Sequence, residues 1–325
     1  MAFGKSEFLN LKSEHMKTRV SILAFLLTAL SLHAQQDPQY TQYMYNMNVV
    51  NPAYAGSGED LSIGLLYRSQ WVGMPGAPKT GTFDIHGPVG NNVGLGLSAI
   101  SDKYGPVEEN NVYADFSYTL KLGGQHRLAF GIKAGVTFHK VGLFSDIGNG
   151  HVINPGDLAF SENSNSSFLN IGAGVYYYTD KYYIGFSVPN MLKNNYLDLT
   201  KNGNEYEFGT DKQHYFLTGG YVFDLSENTK FKPAFMLKTA FGAPVSFDIT
   251  ANFRFFDRFE VGAFYRLEDS FGGLVNFSII PQLRIGYAYD HITSALNKEV
   301  SASHEILLLI DLNFAKKVTR SPRFF

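Results

Sequence analysis

The chain has 325 residues, no cysteine and a formal net charge of -2, which excludes disulfides, thiolate chemistry, a lipoprotein anchor and a basic nucleic-acid surface. Gly (32), Tyr (20) and Phe (28) are abundant, yet mean hydropathy is only -0.10. Those totals suit a membrane β-barrel, in which half of each strand faces water, but equally a secreted β-sandwich or solenoid, so residue order has to decide.

Lys17 and Arg19 precede the apolar run Val20 to Leu32, which has the length of a signal-peptide core and is too short to span a bilayer as a helix. Leu32-His33-Ala34 puts a small residue at a cleavage point, so residues 1–34 are expected to be a signal peptide and Gln35 the first mature residue. Met16 opens a compact signal by itself, and Met1 to His15 is then a polar extension. From Gln35 to Asp60 the chain does not alternate. Asp37-Pro38 reads as a helix N-cap followed by proline at the first helical position. Tyr40, Tyr43, Met44 and Met47 recur at helical spacing, and Asn51-Pro52 ends the run. Residues 35–60 are therefore expected to form a short amphipathic helix. It serves either as a plug closing a lumen from the periplasmic side or as a periplasmic contact for another component.

Beyond Asp60 the period becomes two. In the last segment Glu305, Leu307, Leu309, Asp311 and Asn313 alternate with Ile306, Leu308, Ile310, Leu312 and Phe314, giving one wholly apolar and one largely polar face. Residues 111–122 and 245–254 repeat the pattern. Each segment is roughly 9 to 12 residues, as a tilted strand crossing a bilayer requires. The expected strands are Ser62 to Trp71, Thr80 to His86, Val93 to Asp102, Glu108 to Leu122, Arg127 to Lys140, Phe168 to Tyr178 and Tyr182 to Val188. They continue with His214 to Phe223, Thr229 to Lys238, Val245 to Phe255, Phe259 to Leu267, Phe271 to Ile280, Leu283 to Asp290 and His304 to Phe314. This is an all-β, transmembrane antiparallel barrel of about fourteen strands over residues 61–314, bathed in outer-membrane lipid, with a tail at 315–325. Short connections, such as Gly123 to His126 and Pro281-Gln282, alternate with long ones at Val72 to Lys79, Val141 to Ser167, Pro189 to Gln213 and His291 to Ser303. Outer-membrane barrels keep short turns in the periplasm and long loops outside, so an even strand count places both termini in the periplasm.

Arg68, Asp84, Asp115, Lys121, Lys133, Asp248, Arg254, Glu260 and Arg266 fall on inward faces. They suit an ion-selective channel or paired charges packing a closed interior, where Tyr113 and Phe264 also point. Tyr176 to Tyr178 and Tyr182-Tyr183 are read as an interfacial girdle. Ser303, His304 and Glu305 carry triad residue types, but consecutive strand residues face opposite ways and form no relay. Asp290-His291 beside His304-Glu305 has metal-ligand types, for which hydrogen bonding at the rim is the simpler account. Gly94-Leu95-Gly96 and Gly172-Ala173-Gly174 precede no helix pattern and read as close packing. Asp146 to Asp157 lacks the EF-hand's acidic spacing and closing Glu. No catalytic residue, metal or cofactor is expected, and a hydrolase is the weakest functional class.

The run Asp37 to Tyr43 (DPQYTQY) followed by Asn51 to Ser57 (NPAYAGS) resembles the N-terminal signature of the PorP/SprF family of type IX secretion membrane proteins. Tyr67 to Trp71, Ser101 to Pro106, Ile285 to Asp290 and Ser303 to Ile306 match in the same order, so the resemblance covers essentially all of the mature chain. It implies an outer-membrane barrel serving the type IX pathway, whose cargo carries a dedicated C-terminal domain. SprF-like members serve large adhesins used in gliding or attachment, and PorP-like members belong to the core machinery; the sequence does not sort the chain between them. The implied partners are an exported adhesin and other type IX components. Tyr40, Tyr43, Asn51, Pro52 and Tyr54 of the signature, with Trp71, Asn194 and Tyr196 of the long loops, are the candidate partner-binding residues. Trp71 suits either an interface anchor or a girdle position. The alternative function is a porin or specific transporter.

Overall fold

A computed structural model describes residues 38–142, 164–192, 195–201, 204–210, 213–241, 243–294, 300 and 302–312. The first strands are β1 (Leu61–Ser69), β2 (Lys79–Pro88), β3 (Val93–Tyr104), β4 (Val107–Gly123), β5 (His126–Val141), β6 (Ser164–Tyr178) and β7 (Tyr182–Val188). After the hairpin β8 (Asn195–Lys201) and β9 (Asn204–Thr210) come β10 (His214–Tyr221), β11 (Phe223–Ser226), β12 (Thr229–Ala240) and β13 (Ser246–Phe255). β14 (Phe259–Arg266), β15 (Ser270–Ile280), β16 (Leu283–Ile292) and β17 (Ala302–Leu312) complete the order.

Sequential strands pair antiparallel, β1 pairs with β17, and β10 pairs with both β7 and β12, so the sheet closes on itself. β11 prolongs β10, giving a barrel of 14 staves. The ladder to β12 lapses between Gly220 and Phe223, where the facing Pro233 has no N–H to give, while on the other side the Val222 N–H still bonds to the Lys181 carbonyl at 2.6 Å. The expected strands are all present, with displaced ends; β6 begins at Ser164 instead of Phe168. The Pro189 to Gln213 connection, expected as a loop, contains the separate β8–β9 hairpin.

Side chains alternate as a sheet between lipid and lumen requires. On β4, Asn111, Tyr113, Asp115 and Ser117 are buried inside while Val112, Phe116 and Tyr118 are exposed outside. Leu65, Leu97, Ile132, Leu169, Phe186, Phe253 and Ile306 extend the exposed apolar belt, a surface that a water-soluble protein rarely tolerates. Among the described residues no helix is long and apolar enough to cross a membrane. Leu61 of β1 and Leu312 of β17 pair with each other at the end closed by short turns, here the turn end. The connections after β1, β5, β7 and β16 lie at the other, loop end.

The alternation predicts that Leu308→Arg, a charge on the lipid face midway along β17, should destabilise the barrel by roughly 2 to 4 kcal/mol. Asp311→Asn, near the strand end where Asp311 accepts from Ser62 Oγ at 2.7 Å, should cost less. Urea-unfolding midpoints in lipid vesicles check the difference, and equal tolerance would mean that the faces are reversed.

Candidate functional site: a plugged lumen and its loop-end mouth

Residues 38–57 carry no charged side chain, and they lie inside the barrel. The segment turns through two 3-10 turns, Tyr43–Tyr45 and Pro52–Tyr54, and one α-turn, Met47–Val50. Pro38 has no regular secondary structure and Asp37 lies outside the described residues, so the helix start expected there is corrected to Tyr43. These short turns replace one amphipathic helix because the wall supplies the hydrogen bonds that a longer helix would have made internally. Asn51 caps the second 3-10 turn with its Oδ1 accepting from Ala53 N at 3.0 Å, and its Nδ2 donates to the Val175 carbonyl at 3.1 Å.

Wall charges grip the segment in order. Near the loop end Glu305 accepts from Thr41 N at 2.9 Å and Gln42 N at 2.7 Å. Arg68 reaches Asp290 at 2.6 Å, Glu305 at 3.3 Å and Thr41 Oγ1 at 2.9 Å. Midway, Lys133 donates to the Val49 and Asn48 carbonyls at 2.9 and 3.3 Å and stands 3.4 Å from Asp115. Towards the turn end Tyr45 OH donates to Glu260, and Ser117 Oγ donates to the Ala55 carbonyl. Arg266 holds Asp248 in a bidentate pair at 2.8 and 2.8 Å and also reaches Asp269 at 3.3 Å and Asp290 at 3.9 Å. Arg68, Asp115, Lys133, Asp248, Glu260 and Arg266 are thus buried as expected for a closed interior, whereas Lys121 is exposed at the turn end and Arg254 half-buried.

Small wall residues admit the segment. A Cβ at Gly131 would sit 2.1 Å from Ala53 N, and one at Gly174 2.1 Å from Asn51 Oδ1. The apolar inward residues Leu66, Leu307 and Leu309 share one buried cluster with Tyr40, Tyr43 and Met44 of the segment. Strand alternation corrects the girdle reading: Tyr176, Tyr178 and Tyr183 point inwards, with Tyr176 against Tyr54 at 5.3 Å. Tyr177, Tyr182 and Tyr221 line up outside at the turn end, Tyr182 stacked on Tyr221 at 6.1 Å. Beyond the spans there, Lys181 is held above the usual lysine range by its hydrogen bond to Asp224. Alternation also sends His291 and His304 outwards and Asp290 and Glu305 inwards, so these four do not converge on a metal position; His304 instead meets Tyr287 OH at 2.7 Å.

Pro38 and Gln39 border a cavity of about 750 Å³ at the loop end. The segment therefore descends from the loop end to the turn end, where Gly56 passes Gly87 and Gly94. The even strand count fixes only the ends of β1 and β17; the chain before β1 doubles back through the lumen, so the plug runs through it from the loop end to the turn end. Of the candidate partner-binding residues, Tyr40, Tyr43, Asn51, Pro52 and Tyr54 are buried in the plug and present no side chain to a partner in this conformation. Trp71 is not on β1, which ends at Ser69; it follows in the loop with φ 47, half-buried at the cavity. Tyr196 is on β8, and Asn194 lies outside the described residues.

Fold and lumen together define an outer-membrane-type β-barrel with its own N-terminal segment as plug. The chain belongs to the type IX secretion system membrane protein PorP/SprF family, whose profile matches residues 32–310. No curated protein matches it. Among solved structures, the CymD monoaromatic hydrocarbon channel is 12% identical over 89% of this chain and 97% of that one, with a TM-score of 0.49. The P. putida toluene transporter TodX is 9% identical over 84% and 95%, also at 0.49. A Pseudomonas aeruginosa FadL homologue is 13% identical over 86% and 95%, at 0.46. Identities this low carry nothing about cargo.

Because the chain has no native cysteine, plug seating is readable by labelling. Ala53→Cys should resist a water-soluble maleimide in the folded barrel, and adding Gly131→Leu should make it reactive, since the new side chain occupies the place of the Ala53 backbone. Unchanged protection would show that the plug does not rest on Gly131.

Proposed function

We propose that this barrel is a non-enzymatic outer-membrane component of the type IX system that helps secrete adhesins and hold them at the cell surface, docking their C-terminal domain through its loops. Its turn end faces the periplasm and its loop end the exterior. The observation that carries the reading is the filled lumen: a segment gripped from Thr41 to Ala55 by wall residues suits a closed scaffold that presents loops. Loops on a rigid scaffold are where recognition commonly resides. The remaining type IX components are its other partners.

A porin or specific transporter has one observation in its favour, the loop-end cavity, whose volume of about 750 Å³ is that of small-molecule sites. Passage then needs the plug to move. In planar bilayers the intact protein should conduct little, and deletion of residues 38–57 should open it. Large, stable conductance from the intact protein would set the docking reading aside.

Docking itself is tested by exchanging residues 194–209 for a short Gly/Ser linker, verifying that the barrel still reaches the outer membrane, and measuring surface-bound adhesin. Display should fall. Unchanged display would remove that loop from the docking surface, and the same result for all four long loops would sink the reading.

A further inference from the structure

The loop-end cavity is built more firmly than a barrel needs for closure. The β1–β2 connection is stitched to its neighbours on both sides of the rim: Trp71 N donates to Ser303 Oγ at 3.1 Å, Val72 N to the Ala302 carbonyl at 2.9 Å and Gly105 N to the Gly76 carbonyl at 2.8 Å. Opposite, Thr293 N donates to the Asp269 carbonyl at 2.8 Å. Two non-glycine residues of the lining, Trp71 and Glu268, hold positive φ of 47 and 59, an uncommon conformation that concentrates at ligand clamps. A frame fixed in advance loses little freedom when something binds.

Its chemistry is asymmetric. Four carboxylates, Asp102, Glu268, Asp269 and Asp290, line it with one guanidinium, Arg68; Asp290 is taken by Arg68 at 2.6 Å, and the buried Arg266 behind the lining reaches Asp269 at 3.3 Å, so an acidic excess rests on Asp102 and Glu268. Trp71, Met74, Tyr104 and Leu267 supply apolar and aromatic wall. Such a site favours a cation on a hydrocarbon stem, which the carboxylates attract and the aromatic faces also accommodate.

We propose that this cavity binds a short extended peptide segment of the exported partner that carries lysine and arginine beside apolar residues, with one cationic head at Asp102, another on the opposite side at Glu268 and Asp269, and the stems against Trp71, Met74 and Tyr104. The identity of the partner rests on the docking function proposed above; the peptide chemistry rests on the cavity. An occupant also leans on Pro38 and Gln39, so it touches the top of the plug.

Trp71 is the chain's only tryptophan, and its fluorescence therefore reports on this cavity alone. The purified mature protein in detergent is titrated with the capped peptide acetyl-Gly-Leu-Lys-Val-Arg-Gly-amide and with a counterpart in which both basic residues are glutamate. The basic peptide should give a saturable change in Trp71 emission and the acidic one none. Asp102→Asn with Glu268→Gln should weaken the basic peptide by about tenfold or more, while the heat-modifiable gel shift shows the barrel intact. An equal response to both peptides, or none to either, overturns the proposal. So does a response seen only after removal of the residues before Pro38, because the cavity's occupant is then the chain's own leading residues. In cells, adhesin display lost on loop replacement but unchanged in the double variant sinks the cavity and keeps docking. Selective peptide binding with display independent of every loop does the reverse.

Discussion

The structure depends on one exchange: ionised groups of the wall are satisfied by an uncharged strand of peptide. A carboxylate or ammonium held away from water is costly unless it is paired or hydrogen-bonded. Glu305 takes two backbone N–H groups, Lys133 gives to two carbonyls, and Arg68 bridges Asp290 and Glu305 directly while also donating to Thr41 Oγ1. Were the segment itself charged, these wall pairs would have to re-partner. Being neutral, it complements both signs of wall charge with the same peptide dipoles. The wall glycines and inward leucines follow, since a backbone this close to the sheet leaves room for neither bulk nor water.

The closed lumen also separates two jobs that a porin combines. On the docking function proposed above, the interior supplies rigidity and recognition is left to the loop end, where the frame around Trp71 and Glu268 is held by hydrogen bonds between connections distant in sequence. Membership of a secretion family sits comfortably with such a division, because a folded exported domain is far too large for a lumen already occupied by Tyr43, Met44 and Tyr54.

Period-2 patterning made the barrel legible because a strand between lipid and lumen admits almost no exceptions on its outer face. The wall charges were legible for the same reason. The plug's path was not. Tyr40, Tyr43, Met44 and Met47 share helical spacing, yet the segment breaks into single turns because its hydrogen-bond partners are on the wall, distant in sequence. One signal of the plug lies in the sequence: Leu307 and Leu309 sit on the inward face of β17, where a water-filled lumen would favour polar residues, and they belong to the same buried cluster as Tyr40, Tyr43 and Met44. The tyrosines of β6 and β7 read as one girdle because a run of identical residues hides the alternation that splits them between faces. The lapse of the ladder between Gly220 and Phe223 falls at Pro233, which only the pairing of β10 with β12 brings opposite.

Arg68 and Glu305 are direct partners across β1 and β17, the seam at which a sheet becomes a barrel. That seam joins the two ends of the sheet in sequence, so it is the least local contact of the fold and carries the largest closure entropy. A slip of one residue there would turn Arg68 or Glu305 towards lipid and leave Thr41 and Gln42 without their acceptor. The plug is therefore also a gauge for assembly: the register that seats it is the register in which the wall meets itself.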